Sequence, residues 1–310
     1  MKIVFLDANT LGGEDISAFN EFGEVVVYEK TTPDEVIQRL QGAKVAVINK
    51  IKMSREVMQN SKDLKLILIS ATGMNTVDLE AAKELGIVVK NAAGYSTKSV
   101  AQHTFALLFS MMNETSYYND FTKAGKWCKS EAFCDYSRRI YTVEGKTWGI
   151  IGLGTIGLDV AKLASLHGAN VIYTSLTGNN NNSDFKKVSL EELLKTSDII
   201  SIHAPLSDKS YKLIGEKELS MMKDKAFLIN VGRGGIIDEN ALANAIDSKN
   251  IRVGLDVVEF EPMREDNPLL KVKKKENLII TPHIAWTACE CVTRLVGIMI
   301  NNLKDFLNAK

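Results

Sequence analysis

A glycine-rich turn between an apolar stretch and an amphipathic stretch constrains this chain most. Residues 148–157 read Trp-Gly-Ile-Ile-Gly-Leu-Gly-Thr-Ile-Gly, and Ile156, Val160 and Leu163 then recur at helical spacing. In the pattern Gly-x-Gly-x-x-Gly, the first glycine permits a tight turn. The second lets the backbone approach a pyrophosphate, and the third lets the helix pack closely on its strand. The free N–H groups of the helix start attract phosphate. The pattern therefore predicts a dinucleotide site, with a ligand-free glycine turn as the alternative.

Length and charge bound the other possibilities. The 310 residues are enough for two domains, each with its own core. The 38 basic and 38 acidic residues balance, so the charge gives no reason to expect nucleic acid or a membrane surface as partner. No apolar run approaches the roughly 20 residues of a membrane span. The N-terminal run, residues 3–6, is too short for a signal peptide. We therefore expect a cytoplasmic protein.

The four cysteines do not have the spacing of a metal site. Cys128, Cys134, Cys289 and Cys291 form no C-x-x-C pair, and no histidine lies at zinc-finger spacing from them. We interpret them as reduced structural thiols and expect no metal.

The first hundred residues alternate strand-like and helix-like stretches, which predicts a small parallel sheet. This part has no glycine pattern of its own, so we interpret it as a substrate domain. The predicted strands are short and apolar, mostly rich in β-branched residues, and cover 3–6, 25–28, 45–48, 66–69 and 87–89.

The middle of the chain is predicted to hold one long helix, over 97–123. It contains His103, which we interpret as a packed or interface residue rather than a catalyst. The aromatic and basic stretch 125–145 then indicates an interface loop, with cover by its own domain as the alternative.

After the glycine turn the alternation continues, which predicts a second parallel sheet and a final helix over 285–307. Its further strands are expected at 170–174, 199–202, 226–230, 253–257 and 278–280, and its helices at 190–195, 216–222 and 239–248.

Polar side chains follow three of these strands, where ligands bind in a doubly wound sheet. They are Arg233, the acids of 256–261, and His283. Histidine suits proton donation to a carbonyl oxygen, because its ordinary pKa of roughly 6.5 lies near working pH. A carboxylate beside it favours the imidazolium, and arginine can bind a substrate carboxylate with two hydrogen bonds. Together they suggest reduction of a carbonyl next to a carboxylate.

These motifs resemble the D-isomer-specific 2-hydroxyacid dehydrogenases along nearly the whole chain. The glycine pattern, Val231-Gly232-Arg233-Gly234, Asp256-x-x-x-x-Glu261-Pro262 and Pro282-His283 match the signatures of that family. The resemblance implies that His283 is the acid/base, that Glu261 supports it, and that Arg233 binds the 2-oxo acid.

The resemblance also implies the fold: two Rossmann-like, doubly wound parallel-sheet α/β domains with the active site in the cleft between them. The substrate domain would be 1–98 plus 285–310, and the dinucleotide domain 99–284. Such enzymes are commonly homodimers through the dinucleotide domain. The implied cofactor residues are Gly152, Gly154, Thr155, Ile156, Gly157, Ser175, His203, Ala204, Pro205, Val231, Gly232 and Asp256, the last at the nicotinamide carboxamide. The implied substrate residues are Lys50, Thr72, Gly73, Met74, Arg233 and Trp286.

Within the family, the local wording is most similar to the glycerate dehydrogenase (hydroxypyruvate reductase) branch. This similarity lies in Asn49-Lys50, in residues 94–104 and in His283-Ile284-Ala285-Trp286. It implies hydroxypyruvate and glycerate, or glyoxylate and glycolate, as the substrate pair.

One position departs from the NAD-using members, which carry an acid after the second strand of the nucleotide sheet. Ser175 stands there, followed by Leu176, Thr177 and an asparagine run with no arginine. No acid excludes a 2′-phosphate and no arginine binds one. We favour NAD(H), and NADP(H) stays open.

Two alternatives share this fold. One is a formate dehydrogenase. That branch resembles this chain but has glutamine where this chain has Glu261, which disfavours it here. A dinucleotide-sensing regulator would keep the same three residues but carry extra terminal segments, which we do not expect in this chain.

Overall fold

A computed structural model describes residues 1–176, 178 and 180–309. The chain divides into two compact units, one formed by Met1–Ser96 with Thr287–Lys310 and the other by Thr97–Trp286. In the described residues the strands are β1 Lys2–Phe5, β2 Glu24–Val27, β3 Val45–Ile48, β4 Leu66–Ile69, β5 Val88–Asn91, β6 Thr147–Ile151, β7 Asn170–Thr174, β8 Lys186–Lys187, β9 Ile199–Ile202, β10 Phe227–Asn230, β11 Arg252–Leu255 and β12 Leu278–Ile280. The helices are α1 Val36–Arg39, α2 Arg55–Gln59, α3 Leu79–Glu84, α4 Thr97–Asn113, α5 Thr115–Lys123, α6 Thr155–Leu166, α7 Leu190–Thr196, α8 Glu216–Met221, α9 Glu239–Lys249 and α10 Cys289–Asn308.

The first unit is built on a five-stranded parallel sheet with strand order β2-β1-β3-β4-β5. Strands β3 and β4 are buried along their whole length and read as continuous apolar runs, as central parallel strands do. Helix α10 packs against β4 and β5. Its buried residues recur at helical spacing, which gives it one apolar face: Cys291, Val292, Leu295, Val296, Met299 and Leu303.

The second unit is built on a seven-stranded parallel sheet with strand order β12-β11-β10-β9-β6-β7-β8. The chain runs from β6 outward to β7 and β8, then returns to β9 on the other side of β6. This reversal is a topological switch point, where the carboxyl ends of parallel strands leave room for a ligand. The prediction of two parallel-sheet α/β domains is confirmed.

The predicted helix over 97–123 is wrong in one respect, because it breaks at Glu114. The backbone of Glu114 is left-handed, with φ 51°, so α4 ends before it and α5 begins after it. Its carboxylate is almost buried and pairs with Arg252 at 2.8 Å, and Arg252 also donates to the carbonyl of Met111 at 2.7 Å. The ion pair comes from a distant strand, so helical periodicity alone could not indicate it.

The predicted final helix also starts too early. Helix α10 begins at Cys289 rather than at Ala285, because the backbone N–H of Ala285 donates to the carboxylate of Asp256 at 2.8 Å. Helix α2 and the short strand β8 were not predicted. Across the described residues, no helix combines the length and the apolar character needed to cross a membrane.

The stretch 125–145 is an irregular surface loop of the second unit, apart from a 3-10 turn at Trp127–Lys129. Four large apolar side chains of this loop stand exposed: Trp127, Phe133, Tyr136 and Ile140. Phe133 is 89% exposed, so its own unit does not cover it.

Candidate active site

The glycine turn lies between β6 and α6, at the switch point of the second sheet. The backbone N–H of Gly152 donates to Thr174 at 3.0 Å, and Gly152 has φ 92°, which favours glycine. A Cβ on Gly152 would lie 2.9 Å from the Cα of Ala204, and one on Gly157 would lie 2.2 Å from the carbonyl oxygen of Gly152. Close packing therefore explains the first and third glycines.

Gly154 has no such packing reason. Among the described residues, a Cβ built on it would meet no atom within 4 Å outside its two chain neighbours, and its φ of −77° is open to any residue. It is the N-cap of α6 and has no side chain to cap the first N–H groups of that helix. Open space beside uncapped N–H groups at the positive end of a helix dipole suits an anionic phosphate. The turn therefore fits a dinucleotide better than the alternative of a glycine turn without a ligand.

Two side chains that the sequence placed at successive strand ends meet in the structure. Nδ1 of His283 lies 2.6 Å from Oε2 of Glu261, with the two side chains 26% and 31% exposed. Because a carboxylate accepts, Nδ1 carries the proton of this hydrogen bond, and Nε2 is the nitrogen that can exchange a proton with a ligand. The other carboxylate oxygen of Glu261 accepts from the N–H of Val258 at 3.3 Å. The pair has the geometry of an oriented acid/base.

Asp256 organises the turn that carries His283. Its carboxylate is 1% exposed and accepts from the N–H groups of Ile284 and Ala285 at 2.9 and 2.8 Å, and from the hydroxyl of Thr281 at 2.6 Å. Its carbonyl accepts from the N–H of His283 at 2.8 Å. These bonds hold His283 at φ 56°, a conformation that costs free energy in a residue with a Cβ. The contact of Asp256 with a nicotinamide carboxamide stays a prediction.

Arg233 lies on the turn after β10, and the side chain of Asn230 is hydrogen-bonded to the backbone of this turn. The Asn230 amide donates to the carbonyl of Arg233 at 2.9 Å and its oxygen accepts from the N–H of Gly232 at 3.0 Å. The Arg233 guanidinium is exposed and donates to the carbonyl of Gly232 at 2.7 Å. Sequence reasoning missed Asn230, although an asparagine at the carboxyl end of a buried strand is the signal that could have found it.

Comparisons with known proteins identify the family of this chain. A family model described as D-isomer specific 2-hydroxyacid dehydrogenase, NAD binding domain, matches residues 105–285. A glycerate dehydrogenase of Methylorubrum extorquens is 38% identical over 311 residues, covering 100% of this chain and 97% of the relative. The chain belongs to the D-isomer specific 2-hydroxyacid dehydrogenases. It is an oxidoreductase acting on a CH–OH group, as the sequence predicted.

Further relatives cover the whole dehydrogenase. A hydroxypyruvate reductase of Blautia hydrogenotrophica is 38% identical, covering 99% of this chain and 97% of its own. A crystal structure of D-lactate dehydrogenase from Aquifex aeolicus, complexed with NAD and lactic acid, superposes with a TM-score of 0.85. It is 28% identical and covers 99% of this chain and 96% of its own.

The first unit of the dehydrogenase holds four of the other predicted substrate residues, Lys50 and Thr72–Met74. Lys50 follows β3, and its N–H and that of Asn49 donate to the carboxylate of Asp7 at 2.7 and 2.9 Å. Burial raises the pKa of Asp7, against the lowering effect of these backbone donors. Sequence reasoning missed Asp7, a polar residue at the end of an otherwise apolar strand that fixes the backbone of Lys50.

The loop of the implied substrate residues Thr72, Gly73 and Met74 is tied to the end of the neighbouring strand β5. The hydroxyl of Thr72 donates to the carbonyl of Ala92 at 3.1 Å, and the amide of Asn91 donates to the carbonyl of Thr72 at 2.6 Å. Gly73 is half-buried and Met74 is exposed. The remaining predicted substrate residue, Trp286, lies in the second unit, half-buried against its core.

Beyond β7, the chain folds back onto the glycine turn. Asn180 donates from its side-chain amide to the carbonyl of Leu153, and its own carbonyl accepts from the hydroxyl of Tyr173 at 3.2 Å. Ser175 stands half-buried at the start of this segment. Thr177, to which the cofactor argument extended, lies outside the described residues. Asn180 was not predicted as part of the site, and its contact is long-range in sequence.

His203 follows β9, with its N–H donating to Ile151 at 2.9 Å. Its Nε2 lies 2.9 Å from the hydroxyl oxygen of Ser201, which also accepts from the indole N–H of Trp148 at 2.9 Å. Among the described residues, Nδ1 of His203 is buried and has no hydrogen-bond partner. Burial lowers the pKa of His203 to about 3, which keeps this ring uncharged.

We expect acid to destabilise the second unit through His203. The ordinary pKa is 6.5 and the folded value is about 3, so the unfolded chain binds the extra proton between these limits. The contribution of His203 to the stability of the second unit is present well above pH 6.5 and is lost as the pH falls from 6.5 toward 3. Urea unfolding at about pH 7.5 and pH 5.5 measures this. His203→Gln should show a flatter dependence, and equal slopes in both proteins would contradict the assignment.

Proposed function

We propose that this dehydrogenase interconverts a small 2-oxo acid and its D-2-hydroxy acid, with hydroxypyruvate and glycerate, or glyoxylate and glycolate, as the pair. The single observation that carries the proposal is the contact of 2.6 Å between His283 and Glu261. The names of the full-length relatives, glycerate dehydrogenase and hydroxypyruvate reductase, support the substrate class.

The chain's own residues have three tasks in this reaction. A bound nicotinamide supplies the hydride that reduces the carbonyl carbon. His283 gives its Nε2 proton to the carbonyl oxygen, and Glu261 orients the ring and stabilises its charged form through Nδ1. Arg233 binds the carboxylate and carbonyl oxygens of the substrate with its fork of N–H donors. General acid catalysis of this kind accounts for roughly 10²–10⁴-fold in rate.

The dinucleotide is proposed to lie along the carboxyl ends of the second sheet. The turn 152–157 and the first residues of α6 would hold the pyrophosphate, and Ser175 the ribose. NAD(H) is favoured and NADP(H) stays open, because Ser175 neither repels a 2′-phosphate nor binds one. The other proposed contacts are His203, Ala204, Pro205, Val231, Gly232 and, at the carboxamide, Asp256.

The first unit is proposed to bind substrate. Lys50 and the loop Thr72–Met74 would take the substrate carboxylate and its polar end, with Trp286 as a further contact. This division assigns 1–98 and 285–310 to substrate binding and 99–284 to the dinucleotide. The cytoplasm remains the proposed location.

A substrate panel tests the function. We expect kcat/KM with NADH to be at least about tenfold higher on hydroxypyruvate or glyoxylate than on a branched 2-oxo acid. A branched apolar substrate would leave the polar groups of a small site without hydrogen-bond partners. Pyruvate serves as a further comparison, because it differs from hydroxypyruvate only in lacking the hydroxyl group. Preference for the branched acid would overturn the substrate class. A protein that binds NADH but turns over none of the acids would be a dinucleotide-sensing regulator instead.

The enzyme is proposed to be a homodimer through the loop 125–145. Phe133 and Tyr136 are 89% and 84% exposed. Contact with water is unfavourable for their apolar surface, and a second copy of the chain would cover it. We expect the double variant Phe133→Asp with Tyr136→Asp to sediment at half the mass of the parent. Leu166→Asp is the control, since Leu166 is also 84% exposed but lies on α6. A parent that is already monomeric would refute this interface.

A further inference from the structure

A second histidine of the second unit contacts the turn that carries His283. His103 lies on α4, with its side chain 18% exposed. Its Nε2 is 2.9 Å from the hydroxyl oxygen of Thr281 and 3.5 Å from Oδ1 of Asp256. The pair of Glu261 and His283 does not include it, so its contacts call for a separate reason.

The direction of these hydrogen bonds follows from the donor inventory. The hydroxyl of Thr281 lies 2.6 Å from Oδ1 of Asp256, and an ionised carboxylate can only accept. The carbonyl of Leu255 is a second acceptor but lies farther away, at 3.4 Å, so the single hydroxyl proton of Thr281 goes to Asp256. Both of these groups accept, so the contact with His103 must be filled by a donor, and Nε2 of His103 carries a proton and donates it. His103, Thr281 and Asp256 form a directed chain that ends on a buried carboxylate.

This series of hydrogen bonds reaches the turn that carries His283 through Asp256. The same carboxylate accepts from the N–H groups of Ile284 and Ala285, the two residues after His283. Helix α4 holds the turn at a second point, where the hydroxyl of Ser99 donates to the carbonyl of Ala285 at 2.6 Å. His283 itself has the unfavourable φ of 56°, so its ring direction depends on these supports.

We propose that His103 is a positioning residue for the acid/base. By donating from Nε2 to Thr281, it fixes the carboxylate of Asp256 and with it the turn 281–285 that aims His283 at the substrate. This inference rests on the proposed acid/base role of His283.

The test compares two substitutions of His103. In His103→Leu the donor is lost, and we expect kcat to fall about tenfold while KM for NADH changes by less than about twofold. His103→Gln keeps an N–H donor near the position of Nε2, and kcat should return to within about threefold of the parent. His167→Leu is the control for loss of another imidazole beside α4, because His167 is exposed and packs against Phe105 and Phe109 of that helix.

The outcomes separate the two ideas. A kcat for His103→Leu close to that of the parent would overturn the positioning role, and so would a His103→Gln enzyme as slow as His103→Leu. A merely structural role would lower the melting temperature of His103→Leu with no selective loss of kcat, and would contradict the positioning role. If His283→Ala remains active, the acid/base assignment itself fails, whatever the His103 variants do.

A measurement on the parent protein keeps the inference testable if His103→Leu does not fold. Nitrogen-15 NMR of the labelled histidine rings reports which nitrogen carries the proton. We expect His103 to be protonated on Nε2 in the neutral enzyme. The Nδ1–H tautomer would overturn the proposal.

Discussion

Replacing His283 by alanine is expected to lower kcat by about 10²–10⁴-fold, because the carbonyl oxygen then loses its proton donor. The dinucleotide contacts proposed above lie on other turns of the second unit, so NADH should bind with nearly unchanged affinity. Steady-state turnover of hydroxypyruvate and fluorescence titration with NADH measure the two quantities separately. The split between them distinguishes loss of an acid from loss of the fold.

Glu261→Gln tests the support that His283 receives. Glutamine keeps a hydrogen-bond acceptor near Nδ1 but removes the negative charge that stabilises the imidazolium, so a smaller loss of kcat, about tenfold, is expected. His167→Ala is the control for loss of an imidazole, because His167 packs against Phe105 and Phe109 of α4. Unchanged turnover in His283→Ala would remove His283 from the mechanism.

Replacing Gly154 by valine is expected to weaken NADH binding by about 10–100-fold with little change in stability. Apart from its two chain neighbours, no atom of the described residues lies within 4 Å of a Cβ at this position, and the backbone is open to any residue. The added methyl groups would occupy the space where the pyrophosphate is proposed to approach. Titration with NADH and thermal melting of the free protein measure the two effects.

Gly157→Ala supplies the contrast to Gly154→Val. Its Cβ would lie 2.2 Å from the carbonyl oxygen of Gly152, so the turn must shift and the melting temperature should fall before any ligand is added. If Gly154→Val bound NADH as the parent does, the proposed place of the pyrophosphate would be wrong.

Sequence reasoning succeeded where a structural element has a local cause. The strands β3 and β4 have the predicted bounds, because buried parallel strands need uninterrupted apolar runs. The break of the long helix at Glu114 was not predictable in this way. It depends on Arg252, which is distant in sequence and reaches Glu114 only in the folded unit.

The same division applies to the site. The motifs around Arg233, Glu261 and His283 could be recognised in the sequence, because chemistry restricts which side chains can donate a proton or bind a carboxylate. Their supports were not, since Asn230 and His103 are common residue types whose meaning lies in what they contact.

By itself, the sequence determined the two parallel-sheet halves, the family and the residue types that can move a proton or bind an anion, because periodicity and side-chain chemistry are local properties. Only the tertiary structure decided that Nδ1 of His283 meets Glu261 and that a buried Asp256 holds the turn that carries His283. Such contacts join strand ends that are remote along the chain, and their distances exist only once the sheet has formed.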